Sequence, residues 1–217
     1  MKYDTVIFDL DGTLLNTLED LMDAVNYALK QYSMETITYE QTRTYVGNGV
    51  AKLVERAVPE GTGEEETGRV LECFKNYYKE HSMDKTRPYE GIISLLKELK
   101  KLNIKVAIVS NKFNDAVAEL AEIYFKGLVD VAIGEQCGVK KKPAPDMVNM
   151  ALEKLGKKRD RAVYIGDSEV DVATAENSGM DGIICLWGFR NKEELIKAGA
   201  VNFAEKPEDI LKNYLYD

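Results

Sequence analysis

Two carboxylates at the end of an apolar strand constrain this chain more than any other feature of its sequence. The run VIFDLDGT, at residues 6–13, places Asp9 and Asp11 two residues apart and follows them with Gly12. Successive side chains of a strand alternate between its faces, so both carboxylates start on the same face. Carboxylates held this close repel each other unless a cation, a shared proton or strong hydrogen bonds compensate. The pair therefore indicates a functional site.

Short apolar runs rich in β-branched residues recur along the chain, with helical periodicity between most of them. The predicted strands cover residues 6–8, 104–109, 129–133, 162–165 and 182–186, and the predicted helices cover residues 92–102, 115–125, 145–155 and 169–178. Strands that alternate with helices are typical of a parallel sheet wrapped by helices. The fold class is therefore predicted as α/β, with a Rossmann-like parallel sheet as its core.

The segment between residues 17 and 84 breaks this alternation. It shows helical patterns, for example over residues 18–29 and 50–57, and it lacks a convincing strand. An acidic run at residues 64–66 is typical of a helix N-terminus, where the helix dipole favours negative charge. We predict a core formed by residues 1–16 and 85–217, with an inserted α-helical domain over residues 17–84.

Composition excludes several classes of protein. The 29 lysines and arginines against 37 aspartates and glutamates give a net charge of −8, which argues against general binding to nucleic acid or anionic membranes. No apolar run approaches the roughly 18 residues of a membrane span, and the first residues lack the plan of a signal peptide, so we expect a cytoplasmic protein without a membrane partner. Three scattered cysteines indicate buried, reduced thiols. The single histidine, His81, has no sequence neighbour that suggests a serine or cysteine triad.

Four polar segments follow predicted strands, which is where ligands bind in open α/β sheets. They are DLDGT at residues 9–13, SNK at residues 110–112, KKKPAP at residues 140–145 and GDSEVD at residues 166–171. Folded together, they would assemble carboxylates, a hydroxyl and an amine around one crevice.

The residue types in these segments suit phosphate and a metal ion. Ser110 ends a strand, so its hydroxyl and the next amide can donate to a phosphate oxygen, and Asn111 can orient the same group or the nucleophile. Mg²⁺ prefers hard oxygen ligands and sits on one or two carboxylates plus a substrate phosphate, a need that Asp9 and Asp167 fit. Structural roles stay open for each residue: a strand-terminating turn for Ser110 and Asn111, and a helix N-cap for Asp167.

In this order and spacing, the four segments resemble the motifs of the haloacid dehalogenase-like hydrolase superfamily, and the resemblance covers most of the chain. The helical insertion at residues 17–84 is similar to the cap domain that this superfamily places between its first and second motifs. Within the superfamily, residues 9–17, 46–50 and 55–57 look most like phosphoglycolate phosphatases. Related pyrophosphatases and other small-phosphate hydrolases carry similar cap segments.

The resemblance implies a phosphatase mechanism and names three catalytic residues. Asp9 would be the nucleophile that forms an aspartyl-phosphate. Asp11 would be the general acid that protonates the departing alkoxide and then accepts a proton from the hydrolytic water. Lys142, the lysine directly before Pro143, would pair with Asp9 and with the transferring phosphoryl group.

The same resemblance completes the predicted ligand sets. It adds the backbone carbonyl of Asp11 to Asp9 and Asp167 as Mg²⁺ ligands, with Asp171 as a further ligand or as a support for the others. The predicted phosphate and substrate contacts are Thr13, Ser110, Asn111 and Lys142 in the core and Asn48 and Gly49 in the cap. Asn48 and Gly49 face the substrate or form a simple turn between helices. The remaining lysines of these segments, Lys112, Lys140 and Lys141, are predicted to be solvated.

The sequence therefore predicts an Mg²⁺-dependent phosphatase, a phosphoric monoester hydrolase whose partner is a small phosphorylated metabolite. The first candidate substrate is 2-phosphoglycolate. The enzymatic alternative is a pyrophosphatase, or a sugar-phosphate mutase similar to β-phosphoglucomutase, on the same scaffold. From a different class comes a non-catalytic phospho-aspartate receiver, although the helical insertion and Asp11 argue against it. Both a monomer and a homodimer are compatible with the sequence.

Overall fold

The structure, a computed structural model, describes residues 2–215, and the chain divides into two compact units. One unit comprises Met1–Leu15 and Pro88–Asp217, and the other comprises Asn16–Arg87. Within the described residues the strands are β1 (Thr5–Phe8), β2 (Leu15–Asn16), β3 (Arg87–Pro88), β4 (Lys105–Phe113), β5 (Val131–Glu135), β6 (Ala162–Gly166), β7 (Asp181–Cys185) and β8 (Phe203–Ala204). The helices are α1 (Leu18–Gln31), α2 (Tyr39–Tyr45), α3 (Val50–Ala57), α4 (Glu64–His81), α5 (Ile92–Lys101), α6 (Asn114–Phe125), α7 (Asp146–Leu155), α8 (Glu169–Asn177), α9 (Lys192–Lys197) and α10 (Pro207–Ile210).

The first unit is built on a six-stranded sheet with the order β5-β4-β1-β6-β7-β8, in which every pairing is parallel. The first strand is central: Thr5 pairs with Lys105 on one side and with Ala162 on the other. The chain runs outward from β1 to β4 and β5, then crosses back to β6 and continues to β7 and β8. The winding therefore reverses beside β1, and ligands bind at such switch points in open α/β sheets.

Burial on both faces explains the continuous apolar sequence of β1. Val6, Ile7 and Phe8 are fully buried. Ile7 belongs to a core cluster that includes Tyr164 of β6 and Met147 of α7. Parallel sheets covered by helices on both faces need apolar side chains at consecutive strand positions, because neither side meets water. The polar residues that follow β1 are therefore displayed at the end of a rigid element.

The end of β4 is irregular where it reaches the carboxyl edge of the sheet. Val109 pairs with Ile133, but the next pair joins Phe113 to Glu135. Between these two pairs β4 moves on by four residues and β5 by only two, so the register shifts. Irregularities of this kind re-aim side chains and are common beside functional sites. Residues 110–112 lie in this stretch, and their side chains do not follow the simple alternation of a regular strand.

The second unit is helical. Leu21 and Val25 of α1 are buried, as is Phe74 of α4, and these two long helices pack against each other. Asp20 is also buried, and its carboxylate accepts hydrogen bonds from the backbone N–H groups of Lys85 and Thr86 at 2.8 to 3.1 Å. The carboxylate of α1 thus fixes the segment that leaves the helical unit.

The predicted α/β fold class is confirmed. Each of the five predicted strands is present within a few residues of its expected bounds, and β4 extends further than expected, to Phe113. The acidic run at residues 64–66 forms the first turn of α4, as predicted. The strands β2, β3 and β8 were not predicted, because a strand of two residues leaves no periodic pattern to detect.

Two expectations drawn from composition can be compared with the structure. Among residues 2–215, no helix combines the length and the apolar character that a membrane crossing requires. The three cysteines are free, as predicted, and Cys185 is buried. Cys137 is exposed and Cys73 is half-buried, so the expectation of buried thiols fails for Cys137, which lies in the polar loop after β5.

Candidate active site

Polar segments that follow β1, β5 and β6 converge at the carboxyl edge of the sheet. Asp9 directly follows β1, and Asp167 directly follows the neighbouring strand β6. Lys142 comes from the loop between β5 and α7, and Asp171 lies in the first turn of α8. The structure therefore brings together four predicted site residues from three distant parts of the chain.

A buried ion pair joins Asp9 to Lys142. Asp9 Oδ1 lies 2.7 Å from Lys142 Nζ, and only 2% of the Lys142 side chain is exposed. Burial raises the pKa of Asp9 well above its usual range, although the charge of Lys142 opposes this shift. Burial alone would lower the pKa of Lys142, but the charges of Asp171 and Asp9 outweigh it and raise that pKa well above its ordinary value. Lys142 is therefore a fixed positive charge beside Asp9.

Asp171 is fully buried and accepts hydrogen bonds on both oxygens. Oδ1 accepts from Lys142 Nζ at 2.9 Å and from the Tyr164 hydroxyl at 3.0 Å. Oδ2 accepts from the Ser168 hydroxyl at 2.6 Å and from the backbone N–H groups of Ser168 and Asp167 at 3.1 and 3.2 Å. Burial alone would raise the pKa of Asp171, but the charge of Lys142 and these hydrogen bonds lower it. Donors surround this carboxylate, so it holds Lys142 and the start of α8 in place.

The Asp167 carboxylate accepts hydrogen bonds from two donors and is buried near the negative charge of Asp171. Its Oδ1 accepts from the Thr13 hydroxyl at 3.1 Å, and its Oδ2 accepts from the Phe189 backbone N–H at 2.7 Å. Burial, together with the negative charge of Asp171, raises the pKa of Asp167 to about 7. Thr13 is fully buried, and its hydroxyl orients Asp167. The phosphate contact expected of Thr13 stays a prediction.

Two glycines leave room for the Asp167 side chain. A Cβ at Gly12 would lie 2.4 Å from Asp167 Oδ2, and a Cβ at Gly188 would lie 2.3 Å from Asp167 Cβ. Gly12 also has a φ of +87°, in the left-handed region that favours glycine. Any larger residue at either position would displace the carboxylate. The loop after β1 and the loop after β7 therefore both shape the space around Asp167.

The carboxylates of this site fit a divalent metal ion. Ligand oxygens of Asp9, Asp167 and Asp171 all lie within 4.8 Å of one another, and all three residues are buried. Carboxylate oxygens are the hard ligands that divalent cations such as Mg²⁺ or Ca²⁺ prefer. A cation would also offset the burial that raises the pKa of Asp9 and Asp167. Since donors already surround Asp171, Asp9 and Asp167 are the members of this cluster best able to hold the ion.

Asp11 forms an ion pair that the sequence analysis did not anticipate. Lys112 Nζ lies 3.3 Å from Asp11 Oδ1, with 3% of the Lys112 side chain and 22% of the Asp11 side chain exposed. The prediction that Lys112 is solvated is therefore wrong. The irregular end of β4 turns this lysine inward, and the sequence pattern does not reveal that irregularity. Lys140 and Lys141 are exposed, as predicted.

Ser110 and Asn111 lie at the same edge and are both buried. Ser110 Oγ accepts from the Lys112 backbone N–H at 3.2 Å. Asn111 uses both ends of its amide on the Lys142 backbone: Oδ1 accepts from the N–H at 2.9 Å, and Nδ2 donates to the carbonyl at 3.1 Å. Asn111 therefore positions the Lys142 loop, a use that the sequence did not predict. The phosphate contacts expected of Ser110 and Asn111 stay predictions.

Asn48 and Gly49 belong to the helical unit, in the segment between α2 and α3. Asn48 Oδ1 accepts a hydrogen bond from the Arg56 guanidinium at 2.8 Å, and Arg56 also donates to the Tyr45 carbonyl at 2.8 Å. Gly49 directly precedes α3. These contacts order the segment within its own unit, and the substrate contact expected of Asn48 and Gly49 stays a prediction.

Sequence reasoning missed Tyr164 and the pair formed by Arg190 and Glu169. Tyr164 lies in β6, where its hydroxyl accepts from Lys142 Nζ at 3.1 Å. Burial raises the pKa of Tyr164 well above its ordinary value, which keeps the hydroxyl a donor to Asp171. The feature of the sequence that could have revealed Tyr164 is a polar hydroxyl inside an otherwise apolar strand. Arg190 Nε lies 2.9 Å from Glu169 Oε2. The feature of the sequence that could have revealed this pair is a basic residue in the loop after β7.

Known proteins resemble this chain in both sequence and fold. The haloacid dehalogenase-like hydrolase family matches residues 6–185, a span that contains every core residue of the site up to Asp171. The phosphoglycolate phosphatase of Aquifex aeolicus is 30% identical over 208 residues, which cover 95% of this chain and 94% of that protein. The phosphoglycolate phosphatase of Neisseria meningitidis is 32% identical over 191 residues, which cover 85% of this chain and 80% of that protein.

Solved structures agree with the sequence relatives. A protein from Lactobacillus delbrueckii subsp. bulgaricus is 41% identical, with a TM-score of 0.93 and coverage of 97% of both chains. A predicted phosphoglycolate phosphatase from Haemophilus somnus is 26% identical, with a TM-score of 0.89 and coverage of 98% of both chains. The match over residues 6–185, with the site geometry described above, shows that the chain belongs to the haloacid dehalogenase-like hydrolase family.

Proposed function

We propose that this hydrolase is an Mg²⁺-dependent phosphatase that cleaves a small phosphate monoester through an aspartyl-phosphate on Asp9. One observation carries the proposal: the buried ion pair of 2.7 Å between Asp9 and Lys142, beside the Asp167 carboxylate. A carboxylate attacks a phosphate only where the negative charge of the phosphate is neutralised. Lys142 supplies a positive charge at that point, and burial keeps competing water away from it.

In the first step, a carboxylate oxygen of Asp9 attacks phosphorus, and the ester oxygen leaves as the alcohol. Lys142 neutralises charge on the nucleophile and on the transferring group, and Asp171 and Tyr164 hold the Lys142 ammonium in place. Covalent catalysis by a carboxylate divides one difficult displacement into two easier ones.

Asp11 moves the protons. It gives a proton to the departing ester oxygen in the first step. In the second step it takes a proton from the water that attacks the aspartyl-phosphate, which breaks the bond between phosphorus and Asp9 and releases inorganic phosphate. Its side chain is 22% exposed, against 11% for Asp9, so the acid and the nucleophile are both open to a ligand at this edge.

Asp9 and Asp167 would hold the metal ion, with the Asp11 backbone carbonyl as a further ligand. When bound, Mg²⁺ neutralises phosphate oxygens and keeps the neighbouring carboxylates ionised. Thr13, Phe189 and the two glycines that flank Asp167 fix the direction of that carboxylate.

The substrate that we propose is 2-phosphoglycolate. The support comes from relatives named phosphoglycolate phosphatase, at about 30% identity over most of this chain. We also propose that the helical unit Asn16–Arg87 is a cap that contributes to substrate choice through Asn48 and Gly49. The expected partner is a small metabolite in the cytoplasm.

A phosphate-release screen tests this function. The purified protein is assayed over a panel of phosphorylated metabolites, including 2-phosphoglycolate, pyrophosphate and sugar phosphates, with Mg²⁺ and with chelator. The Asp9→Asn variant serves as the blank, since it keeps the shape of the side chain and removes its nucleophilic oxygen. We expect steady phosphate release from 2-phosphoglycolate that requires Mg²⁺ and that disappears in Asp9→Asn.

Other outcomes assign other functions. Release from pyrophosphate alone would indicate a pyrophosphatase, and isomerised sugar phosphate without release would indicate a mutase. A phosphoryl label that persists on the protein without turnover would indicate a receiver. Unchanged activity in Asp9→Asn would remove the nucleophile assignment.

A further inference from the structure

Lys112 is a buried cation that the mechanism above does not use. Its side chain is 3% exposed, and its ammonium lies 3.3 Å from Asp11 Oδ1. Placing a charge in such a position costs free energy unless partners compensate. The β4 irregularity and the hydrogen bond from the Lys112 backbone N–H to Ser110 Oγ fix the backbone at this point. The lysine is therefore held in place at the reacting edge of the sheet.

The other lysines near this edge have different positions. Lys142 contacts Asp9, Asp171 and Tyr164, which commits its ammonium to the nucleophile side of the site. Lys141 lies 2.9 Å from Glu135 and is exposed. Lys112 is thus the buried lysine on the side of Asp11.

The Lys112 ammonium lies beside the Asp11 carboxylate, and this position determines which part of a substrate it can contact. The proposed acid must reach the ester oxygen of the substrate within a hydrogen-bond distance. The Lys112 ammonium adjoins the same carboxylate, and an ammonium has three donors, so it can serve Asp11 and a ligand together. A ligand group next to the ester oxygen would therefore meet the Lys112 charge.

The chemistry of phosphoglycolate matches this placement. Its carboxylate is attached to the carbon that bears the ester oxygen, so the carboxylate oxygens lie only about 3 Å from that oxygen, given bond lengths of roughly 1.2 to 1.5 Å. A neutral alcohol at the same position offers the ammonium no charge to pair with. Sugar phosphates carry hydroxyl groups there.

We propose that Lys112 determines substrate specificity by binding an anionic group that lies one carbon from the ester oxygen. The substrate class is then a phosphate monoester of a 2-hydroxy acid. This inference rests on the proposed phosphatase function and names the substrate feature that the core recognises. Lys112 is a substrate-binding residue, and its contact with Asp11 orders both side chains before substrate arrives.

The test compares two esters of similar size that differ in charge: 2-phosphoglycolate and 2-hydroxyethyl phosphate. The variant is Lys112→Met, which keeps much of the chain length and removes the charge. Lys140→Met is the matched control, because Lys140 is exposed. A charge-assisted hydrogen bond is worth about 10-fold to 100-fold in binding, so we expect kcat/KM for 2-phosphoglycolate to fall by that factor relative to 2-hydroxyethyl phosphate in Lys112→Met.

A second readout measures binding without turnover. Glycolate should inhibit the wild-type enzyme competitively and more strongly than ethylene glycol does, and Lys112→Met should lose most of that difference. Circular dichroism shows whether the variant folds. If Lys112→Met does not fold, Lys112→Gln replaces it, and the ratio of the two esters in the wild-type enzyme still tests the proposal.

The outcomes separate this inference from the proposed function. No phosphate release from any ester by wild-type protein would end both. Release from both esters with equal efficiency would retain the phosphatase and overturn the specificity proposal. An equal loss on both esters in Lys112→Met would also overturn it, because Lys112 would then act only through Asp11. A loss of selectivity in Arg56→Met, with Lys112→Met unaffected, would place the recognition in the helical unit and overturn it as well.

Discussion

At the scale of single residues, the site is a network of buried charged side chains joined by ion pairs and hydrogen bonds. Lys142 stands between Asp9 and Asp171, and Asp171 is in turn surrounded by donors from Tyr164 and Ser168. A buried ion pair contributes little net stability, but removal of one partner leaves the other charge without compensation. Substitutions within this network should therefore differ widely in their effects on activity and stability, depending on whether they remove a charge.

Lys142→Met and Tyr164→Phe form a matched pair of such substitutions. Lys142→Met leaves Asp9 and Asp171 buried without their cation, and we expect phosphatase activity to fall by about 100-fold to 1,000-fold, as for removal of a central electrostatic group. Tyr164→Phe removes one hydroxyl, and we expect about 1 kcal/mol lower free energy of unfolding and less than a tenfold loss of kcat. Urea unfolding and steady-state kinetics measure both. Equal losses of activity would contradict the central role of the lysine.

Asp167 makes the stability of the metal-free protein depend on pH. Its pKa in the folded protein, about 7, lies above the ordinary value of 3.8, so the folded state binds this proton more tightly than the unfolded state does. This contribution to stability is complete below about pH 4 and is lost as the pH rises through about 7. Asp167→Asn should weaken the dependence and leave the part that comes from Asp9, whose pKa is also raised. With chelator present, it should raise the free energy of unfolding at about pH 8 by on the order of 2 kcal/mol.

Urea titrations at several pH values check this prediction, with Asp160→Asn as the control at an exposed aspartate. A chelated wild-type protein that gains stability between about pH 5 and pH 8, with Asp167→Asn following the same course, would show that Asp167 is not the group responsible.

The site also shows what one sequence can reveal about side chains. Asp9, Lys142 and Asp167 were predicted to meet, because each follows a strand or begins a loop at one edge of a parallel sheet. Lys112 was not, because its direction depends on an irregular pairing between β4 and β5 that no local pattern encodes. For the same reason the hydrogen bonds between the Asn111 amide and the Lys142 backbone could not be predicted, and the phosphate contact expected of Asn111 stays a prediction.

At the scale of elements, the loops after the strands hold the site as much as the strands do. The loop after β7 brings Gly188 and Phe189 against Asp167, although no residue of that loop was predicted to belong to the site. Strand positions could be read from apolar runs, whereas a loop contact of this kind depends on how two distant segments pack. Periodicity carries no information about it.

Gly188→Ala tests the role of that loop. The added Cβ would lie 2.3 Å from Asp167 Cβ, so the carboxylate must shift. We expect Mg²⁺ affinity to fall by about 10-fold to 100-fold, as for loss of a group that orients a metal ligand. Isothermal titration calorimetry measures the affinity directly. Gly68→Ala in α4, where the new Cβ would meet nothing within 4 Å, is the control and should bind Mg²⁺ normally. Normal affinity in Gly188→Ala would mean that the site tolerates the displacement.

At the scale of the whole molecule, metal binding and folding should be linked. Asp9 and Asp167 lie in strands and loops that are far apart in sequence, so the unfolded chain holds no such pair of carboxylates. A ligand that binds only the folded state stabilises it by about 2.7 kcal/mol at one hundred times its dissociation constant. We expect Mg²⁺ to raise the melting temperature of the wild-type protein, and to raise it more at about pH 8 than at about pH 5, since protons compete for both carboxylates.

Differential scanning calorimetry with Mg²⁺ and with chelator checks this expectation. In Asp167→Asn the increase should largely disappear, and in Asp160→Asn it should be retained. A shift of the same size in Asp167→Asn would place the bound ion elsewhere on the protein.

The central position of β1 has a consequence for how the protein is made. Thr5 pairs with Lys105 on one side and with Ala162 on the other, so β1 leaves the ribosome well before both of the strands that flank it in the sheet. At roughly 5–20 residues per second, translation reaches the second neighbour on the order of ten seconds later. Throughout that interval the nascent polypeptide carries an uncovered hydrophobic segment, which makes it a client for holding chaperones and a source of insoluble product during rapid overexpression.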